Sequence, residues 1–162
     1  DSSTSRGLGD VYKRQILLPQ DVVVAVEFKH GAAHRLVSSD DVANGEMILD
    51  AGAESVAAAM AFLDRCSTIV WNGPMGAFEI PPFDAATTAL TRAVAAKTQN
   101  DGVMSVAGGG DTMAALANAG VNDQFSYVST AGGAFLEWLE GKRLPGVEAL
   151  RIDQPLRPKS VS

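Results

Sequence analysis

The residues best suited to chemistry lie in three glycine-rich stretches, the first of which is "SVAGGGDTMAALANAG", residues 105–120. An apolar run ends in Gly108, Gly109 and Gly110, and Asp111, Thr112 and an alanine-rich helical segment follow. Successive glycines cost backbone entropy on folding, so a chain keeps them where side chains would clash or where backbone N–H groups must reach something. A helix starting at such a turn offers unpaired N–H groups and a partial positive charge, which suits a phosphate. The same residues also read as a plain tight turn with Asp111 as its N-cap. No Gly-Lys-Ser/Thr follows, which excludes a P-loop, and the glycine spacing of a dinucleotide fingerprint is absent.

The second stretch, "STAGGAFLEWLEG" at 129–141, repeats the device with Ala131, Gly132, Gly133 and Ala134 ahead of a helix. Ser129 and Thr130 either cap that helix or offer hydroxyls to a second phosphate. In the third, "TIVWNGPMGAFEIPPF" at 68–83, Asn72, Gly73 and Pro74 break a strand, Gly76 breaks the chain again, and Glu79 sits on a loop before two prolines. A carboxylate at the ligand edge of a sheet can accept hydrogen bonds from ribose hydroxyls, and a solvated loop glutamate is the alternative. His30 and His34 lie four apart without a helix or a nearby cysteine, and read as loop residues rather than a metal pair. Cys66, the single cysteine, has no internal disulfide partner and reads as a small apolar residue at a helix end, as expected in a reducing compartment.

Regular elements must position these residues. Apolar and β-branched runs predict strands at 22–28, 47–50, 68–71, 103–107 and 126–130, with a hairpin-like segment around His30 and His34. Helices are predicted at 54–65, 84–98, 112–119 and 133–139. Strands alternating with helices imply a three-layer αβα fold of the α/β class, a Rossmann-like parallel sheet with helices on both faces. Right-handed crossovers would then gather "LDAGAES", "WNGPMGAFE", "AGGGDT" and "STAGGAF" on one sheet edge, where ligands bind in such folds.

Residues 1–15, "DSSTSRGLGDVYKRQ", are polar and aperiodic and are expected to lie outside the fold as a linker or scar. Residues 16–150 are expected to form one domain and 151–162 a tail. A 46% hydrophobic content suits a globular chain, and no run reaches the roughly 18 apolar residues of a membrane span. The net charge of -6 argues against nucleic acid or an anionic membrane as partner. Between residues 102 and 141 there is no Lys or Arg. Phosphates bound there must be held by backbone donors, with cations coming from a metal or from another part of a larger protein.

Taken together, "TIVWNGPMGAFE", "SVAGGGDT", "VSTAGGAFLEWLEG" and "LPGVEAL", with "ILLPQDVVVA" and "LDAGAES" before them, resemble the C-terminal part of the phosphoglycerate kinase family in order and spacing. The resemblance implies transfer of a phosphoryl group between 1,3-bisphosphoglycerate and ADP, giving 3-phosphoglycerate and ATP, with Mg2+. It implies a monomeric, cytoplasmic glycolytic enzyme when full length, with this part carrying the nucleotide and inactive alone. By motif, Asn72, Gly73 and Pro74 would border the nucleotide and Glu79 would hold the ribose. Gly108, Gly109 and Gly110 would offer N–H groups to the phosphates, Asp111 would meet the magnesium, and Thr112 a phosphate oxygen. Gly132 and Gly133, with Gly109 and Gly110, would face the group in transfer as the catalytic backbone. The family's usual proline after "LDAG" is Ala53 here, and the first glycine of its triplet after "ST" is Ala131. The family's basic 3-phosphoglycerate site and phosphate-binding lysines have no counterpart in this sequence. The competing reading is a non-catalytic nucleotide-binding or interaction module on the same fold.

Overall fold

The computed structural model describes residues 15–145, and all but one residue of the leading segment, the end of "LPGVEAL" and the expected tail lie outside them. Two three-stranded sheets organise the chain. The first contains β1 (Asp21–Ala25), β2 (His34–Ser38) and β3 (Met47–Ala51) in the order β2-β1-β3, both pairings antiparallel. The strand expected at 47–50 is therefore present but is not part of a parallel sheet. Residues 26–33 are too few for a parallel crossover, so β2 folds straight back on β1, and β3 then joins the other edge of β1, antiparallel to it and running in the same direction as β2. Arg35 fastens the β2–β3 connection by donating from Nε and Nη2 to the two Glu46 carboxylate oxygens at 2.7 Å each. The Glu46 carboxylate also accepts the Ala43 N–H at 2.9 Å, and the Arg35 hydrogen bond leads in drawing its pKa down to about 2.

The second sheet contains β4 (Thr68–Asn72), β5 (Met104–Gly108) and β6 (Tyr127–Ser129) in that spatial order, all parallel as expected. Its helices are α2 (Ala85–Asn100), which links β4 to β5, α3 (Gly110–Ala119), which links β5 to β6, and α4 (Gly132–Leu139). Helix α1 (Ala53–Leu63) bridges the two sheets in sequence. Alternation along β4 sends Ile69 and Trp71 inward, where with Ala107 they meet Leu90 and Val94 of α2 and Leu116 of α3. Val56, Met60 and Leu63 of α1 pack on the same cluster, and the Cys66 thiol, half-buried beside it, donates to the Phe62 carbonyl at 3.5 Å.

The opposite face of this sheet differs from expectation. Val70, Met104 and Tyr127 on it are 44%, 57% and 63% exposed, so among the described residues α1, α2 and α3 cover one face only. No helix among the described residues is long and apolar enough to cross a membrane.

Candidate functional site

The parallel register aligns the strand ends. Asn72 pairs with Gly108 and Gly108 with Ser129, so the chain leaves β4, β5 and β6 side by side. Gly73 then takes φ +93° and Gly109 φ +102°, values that side-chain-bearing residues rarely adopt. Gly109 is the N-cap of α3 and its carbonyl accepts the Met113 N–H at 3.0 Å. The helix starts two residues earlier than expected, and the N–H groups of Gly110, Asp111 and Thr112 form its first turn, where no preceding carbonyl is in reach. Asp111 is exposed in that turn. It is not the N-cap, which removes the simplest structural role for its carboxylate.

One of the expected donors is otherwise engaged, and a second glycine is packed against it. The Gly109 N–H donates to the Ser129 carbonyl at 3.0 Å, tying the start of α3 to the end of β6, and so is not free for a phosphate. Gly132 is buried against that same turn: a Cβ placed on it would stand 2.6 Å from Gly109 N and 2.7 Å from Gly109 Cα. Its missing side chain lets two backbones touch, and it sets the spacing between the starts of α3 and α4. Gly133 faces open space, and a Cβ added there would meet nothing within 4 Å. The Ser129 hydroxyl accepts the Ala131 N–H at 3.1 Å, a local turn contact, and Thr130 is exposed.

Thr112 is 1% exposed, and its Oγ1 accepts the Gly73 N–H at 2.8 Å. The bond joins the turn after β4 to the first turn of α3 across 39 residues of sequence. Pro74 is half-buried in that turn, while Asn72 and Glu79 are exposed, Glu79 on the loop that leads to α2. The loop itself is anchored from the first sheet: the Ala77 N–H donates to the Leu49 carbonyl at 2.8 Å, and the Met75 N–H to Thr87 Oγ1 at 3.0 Å.

The fourth glycine turn does not join this edge. At the start of α1 the Asp21 carboxylate, buried in β1, accepts the N–H groups of Glu54 and Ser55 at 3.0 and 2.7 Å and the Ser55 hydroxyl at 2.6 Å. A Cβ at Gly52 would run into that carboxylate, so "LDAGAES" is a helix start already capped by an internal anion. Burial opposes the charge, yet the Ser55 hydroxyl and the N–H donors outweigh it, and the Asp21 pKa is lowered. Ala53 is the first residue of α1, a position that also accepts proline, so the departure from the family pattern leaves the helix start intact.

Asp50 plays the same part for α2. Its carboxylate, 2% exposed, accepts the Ala86 and Ala51 N–H groups at 2.9 Å each, and a Cβ at Gly76 would collide with it. Burial dominates here and pushes the Asp50 pKa up. Sequence reasoning missed both aspartates. The available signal was a carboxylate next to an apolar strand run, Asp21 before Val22 and Asp50 between Leu49 and Ala51, which needs donors if buried. Among the histidines, His34 Nδ1 lies 3.0 Å from the Ala32 carbonyl and its ring meets Phe83 edge to face at 5.7 Å, while His30 is exposed.

A parallel three-stranded βα sheet with two glycine-started helices at aligned strand ends defines an α/β domain. The family model described as phosphoglycerate kinase matches residues 5–142, and the chain belongs to the phosphoglycerate kinase family. It is 65% identical over 137 residues to phosphoglycerate kinase of Xanthobacter autotrophicus, covering 85% of this chain and 35% of that protein. To the enzyme of Jannaschia sp. it is 57% identical over 140 residues, covering 86% and 35% respectively. Among solved structures, phosphoglycerate kinase from Coxiella burnetii superposes with a TM-score of 0.75 at 48% identity, over 82% of this chain and 33% of that one. The enzyme from Pyrococcus horikoshii gives 0.66 at 28% identity, over 82% and 31%. The chain thus spans about a third of the length of these relatives. The family match begins inside the leading segment that the sequence set apart, and it stops short of Leu150.

Proposed function

We propose that this chain is the nucleotide-binding part of a phosphoglycerate kinase, holding Mg-ADP or Mg-ATP at the ends of β4 and β5. The observation that carries the reading is the first turn of α3, whose Gly110, Asp111 and Thr112 N–H groups open beside an exposed carboxylate at the aligned strand ends. Phosphoryl transfer asks little covalent chemistry of a protein; it asks for alignment and for donors aimed at the phosphate oxygens. In this reading those three N–H groups take the phosphates, with Gly108 as the bare wall behind them. Asn72, Gly73 and Pro74 border the nucleotide, and Glu79 accepts from the ribose hydroxyls. The open first turn of α4 at Gly133 faces the transferred group, at a spacing set by Gly132 packed on Gly109.

The donor set suits magnesium. No group of three or more His, Cys, Asp or Glu side chains among the described residues could cage a metal, whereas Mg2+ commonly uses one or two carboxylates together with substrate phosphates. Asp111 supplies one such carboxylate, and the bound ion would neutralise phosphate charge. The acyl-phosphate substrate, 1,3-bisphosphoglycerate or its product 3-phosphoglycerate, falls to the remaining two-thirds of the relatives' length, as do the cations that residues 102–141 lack. The chain alone is therefore inactive in this reading. The full-length protein is a cytoplasmic glycolytic monomer with neither nucleic acid nor membrane as partner.

Charge-assisted hydrogen bonds contribute about 1.5–3 kcal/mol each, so three N–H groups supply roughly 4–9 kcal/mol, against at least about 4 kcal/mol of lost rigid-body freedom. The expected dissociation constant for Mg-ADP is about 1 mM or weaker. The test is Asp111→Asn, which removes the charge without removing a cap, since the cap is Gly109. The variant should stay within about 1 kcal/mol of the parent in urea unfolding, the share of a first-turn charge on the helix dipole, and lose the magnesium dependence of ADP binding measured with and without chelator. A variant that binds Mg-ADP as the parent does refutes the role of Asp111.

A further inference from the structure

The loop that carries Glu79 runs between β4 and α2, yet the antiparallel sheet is what holds it. Two residues before Glu79 the Ala77 N–H donates to the Leu49 carbonyl of β3 at 2.8 Å, and two residues after it the Pro81 carbonyl accepts the Gly31 N–H at 2.9 Å. Gly31 lies in the connection from β1 to β2, so both ties run to the first sheet. Within the loop, the Ile80 N–H donates to the Ala77 carbonyl and the Phe83 N–H to the Ile80 carbonyl, each at 2.9 Å, which shapes the turns without fixing their place. Phe83 fixes it: its side chain is fully buried among Ala25, Ala32 and Leu49, and Ala77 and Ile80 of its own loop pack on the same cluster. Glu79 is exposed between the two ties, and the backbone on either side decides where its carboxylate can reach.

We infer that Phe83 is a positioning residue for ribose recognition: seated in the antiparallel sheet, it holds the 77–81 loop so that Glu79 meets the ribose hydroxyls. This rests on the nucleotide reading above, in which Glu79 is the ribose acceptor. Phe83 is sealed from any bound ligand, so its effect passes through the loop. The ring supplies most of the anchoring, because a single backbone tie at an exposed loop contributes modestly and a buried aromatic side chain contributes much more. The labour is then divided between the sheets: phosphates are read at the start of α3 on the parallel sheet, and the ribose by a loop whose place the other sheet sets. A change at Phe83 should therefore alter the choice among nucleotides and leave phosphate binding alone.

Mg-ADP and its 2′,3′-dideoxy analogue differ only in the ribose hydroxyls, so the ratio of their dissociation constants reads ribose recognition by itself. A partly unfolded variant weakens both nucleotides equally and leaves the ratio unchanged, which separates positioning from loss of fold. By NMR titration the parent should favour ADP about 3- to 10-fold, the span of one net hydrogen bond. Phe83→Leu removes the ring and keeps an apolar side chain; it should bring the ratio to within about 2-fold of unity. Glu79→Gln should do the same, and the double variant should fall no lower than Glu79→Gln alone, as expected of two residues acting as one unit. Magnesium pyrophosphate, which has no ribose, should bind Phe83→Leu within about 2-fold of the parent. Ile80→Ala, a milder trim of the same cluster, should lower the ratio in the same direction and carries the test if Phe83→Leu does not fold. In the parent, the Gly31 and Ala77 amides should exchange with deuterium more slowly than unbonded loop amides.

A folded Phe83→Leu or Ile80→Ala that keeps the parent ratio overturns the inference while the role of Glu79 stands, provided Glu79→Gln abolishes the ratio. So does a double variant that falls below Glu79→Gln, loss of pyrophosphate binding in folded Phe83→Leu, or exchange at Gly31 and Ala77 as fast as at free amides. A parent that binds the two nucleotides equally, or a Glu79→Gln variant that keeps the preference, sinks the ribose reading of Glu79 and the positioning role with it.

Discussion

Replacing Gly132 with alanine tests how the two glycine turns are held together. The added Cβ would lie 2.6 Å from Gly109 N, 2.7 Å from Gly109 Cα and 2.9 Å from the Gly108 carbonyl carbon, where ordinary contact is 3.4–4 Å. All three neighbours are backbone, and Gly109 is pinned by its N–H on the Ser129 carbonyl at 3.0 Å, so relief requires the start of α4 to retreat by roughly 1 Å. Overpacking of this kind costs about 1–3 kcal/mol, and the better helix propensity of alanine returns about 0.5–1 kcal/mol. A net loss of about 1–2 kcal/mol is expected, a large share of the roughly 5–15 kcal/mol typical of a domain. Gly133→Ala is the control, because nothing lies within 4 Å of its Cβ position, and it should be neutral or stabilising by up to about 1 kcal/mol. Urea unfolding of the two variants measures the difference, and the Gly109 amide should shift and exchange faster in Gly132→Ala alone. If the two variants are equally stable and the Gly109 amide does not move, the backbone contact does not set the spacing of the turns.

Further outcomes concern the buried carboxylates and the nucleoside contact. Asp21→Asn should cost about 1–2 kcal/mol at pH 7 by urea unfolding, the range of a lost helix cap. Because the folded Asp21 pKa is lowered from 3.8, its contribution is fully present above 3.8 and disappears as pH falls through the folded value, so Asp21→Asn should flatten the acid limb of the stability profile. Asp50 has the opposite sign: its pKa is raised from 3.8, so its contribution is fully present below 3.8 and is lost as pH rises through the folded value. Asp50→Asn should remove that decline, and an unchanged profile would contradict the assignment of burial as its cause. Glu79→Gln should weaken ADP and adenosine by the same factor in NMR titration, since both carry the ribose; selective weakening of ADP would place Glu79 near the phosphates instead.

The parts of this chain that were legible in its sequence are those governed by local pattern. The apolar runs that became β4, β5 and β6, the glycine turns after them and the helices that follow all have signatures within a few residues. The alternation of Ile69 and Trp71 against Thr68 and Val70 already separates the two faces of β4. What the sequence hid is set by contacts between distant segments. Nothing near Val22 says that its strand pairs antiparallel with Met47–Ala51, and nothing near Asp21 or Asp50 says which helix each one caps. Gly109 and Gly132 illustrate the same limit at the site: both glycines were conspicuous, but the engagement of one N–H by Ser129 and the backbone-to-backbone contact of the pair depend on how β6 returns to β5. The bond from the Gly73 N–H to the Thr112 hydroxyl likewise spans 39 positions that no local pattern connects.

The central claim, that the first turn of α3 at the aligned strand ends binds the phosphates of a nucleotide, is tested most directly by mapping Mg-ADP onto the backbone amides of the 15N-labelled chain. With a dissociation constant near or above about 1 mM, titration into the range of several times that value suffices. Phosphate binding at this turn predicts progressive shifts centred on Gly110, Asp111 and Thr112, smaller shifts at Asn72 and Gly73, and none at Glu54 and Ser55, where the Asp21 carboxylate already occupies the helix start. Shifts centred on Glu54 and Ser55, or no response at Gly110 to Thr112 at saturating Mg-ADP, would contradict it.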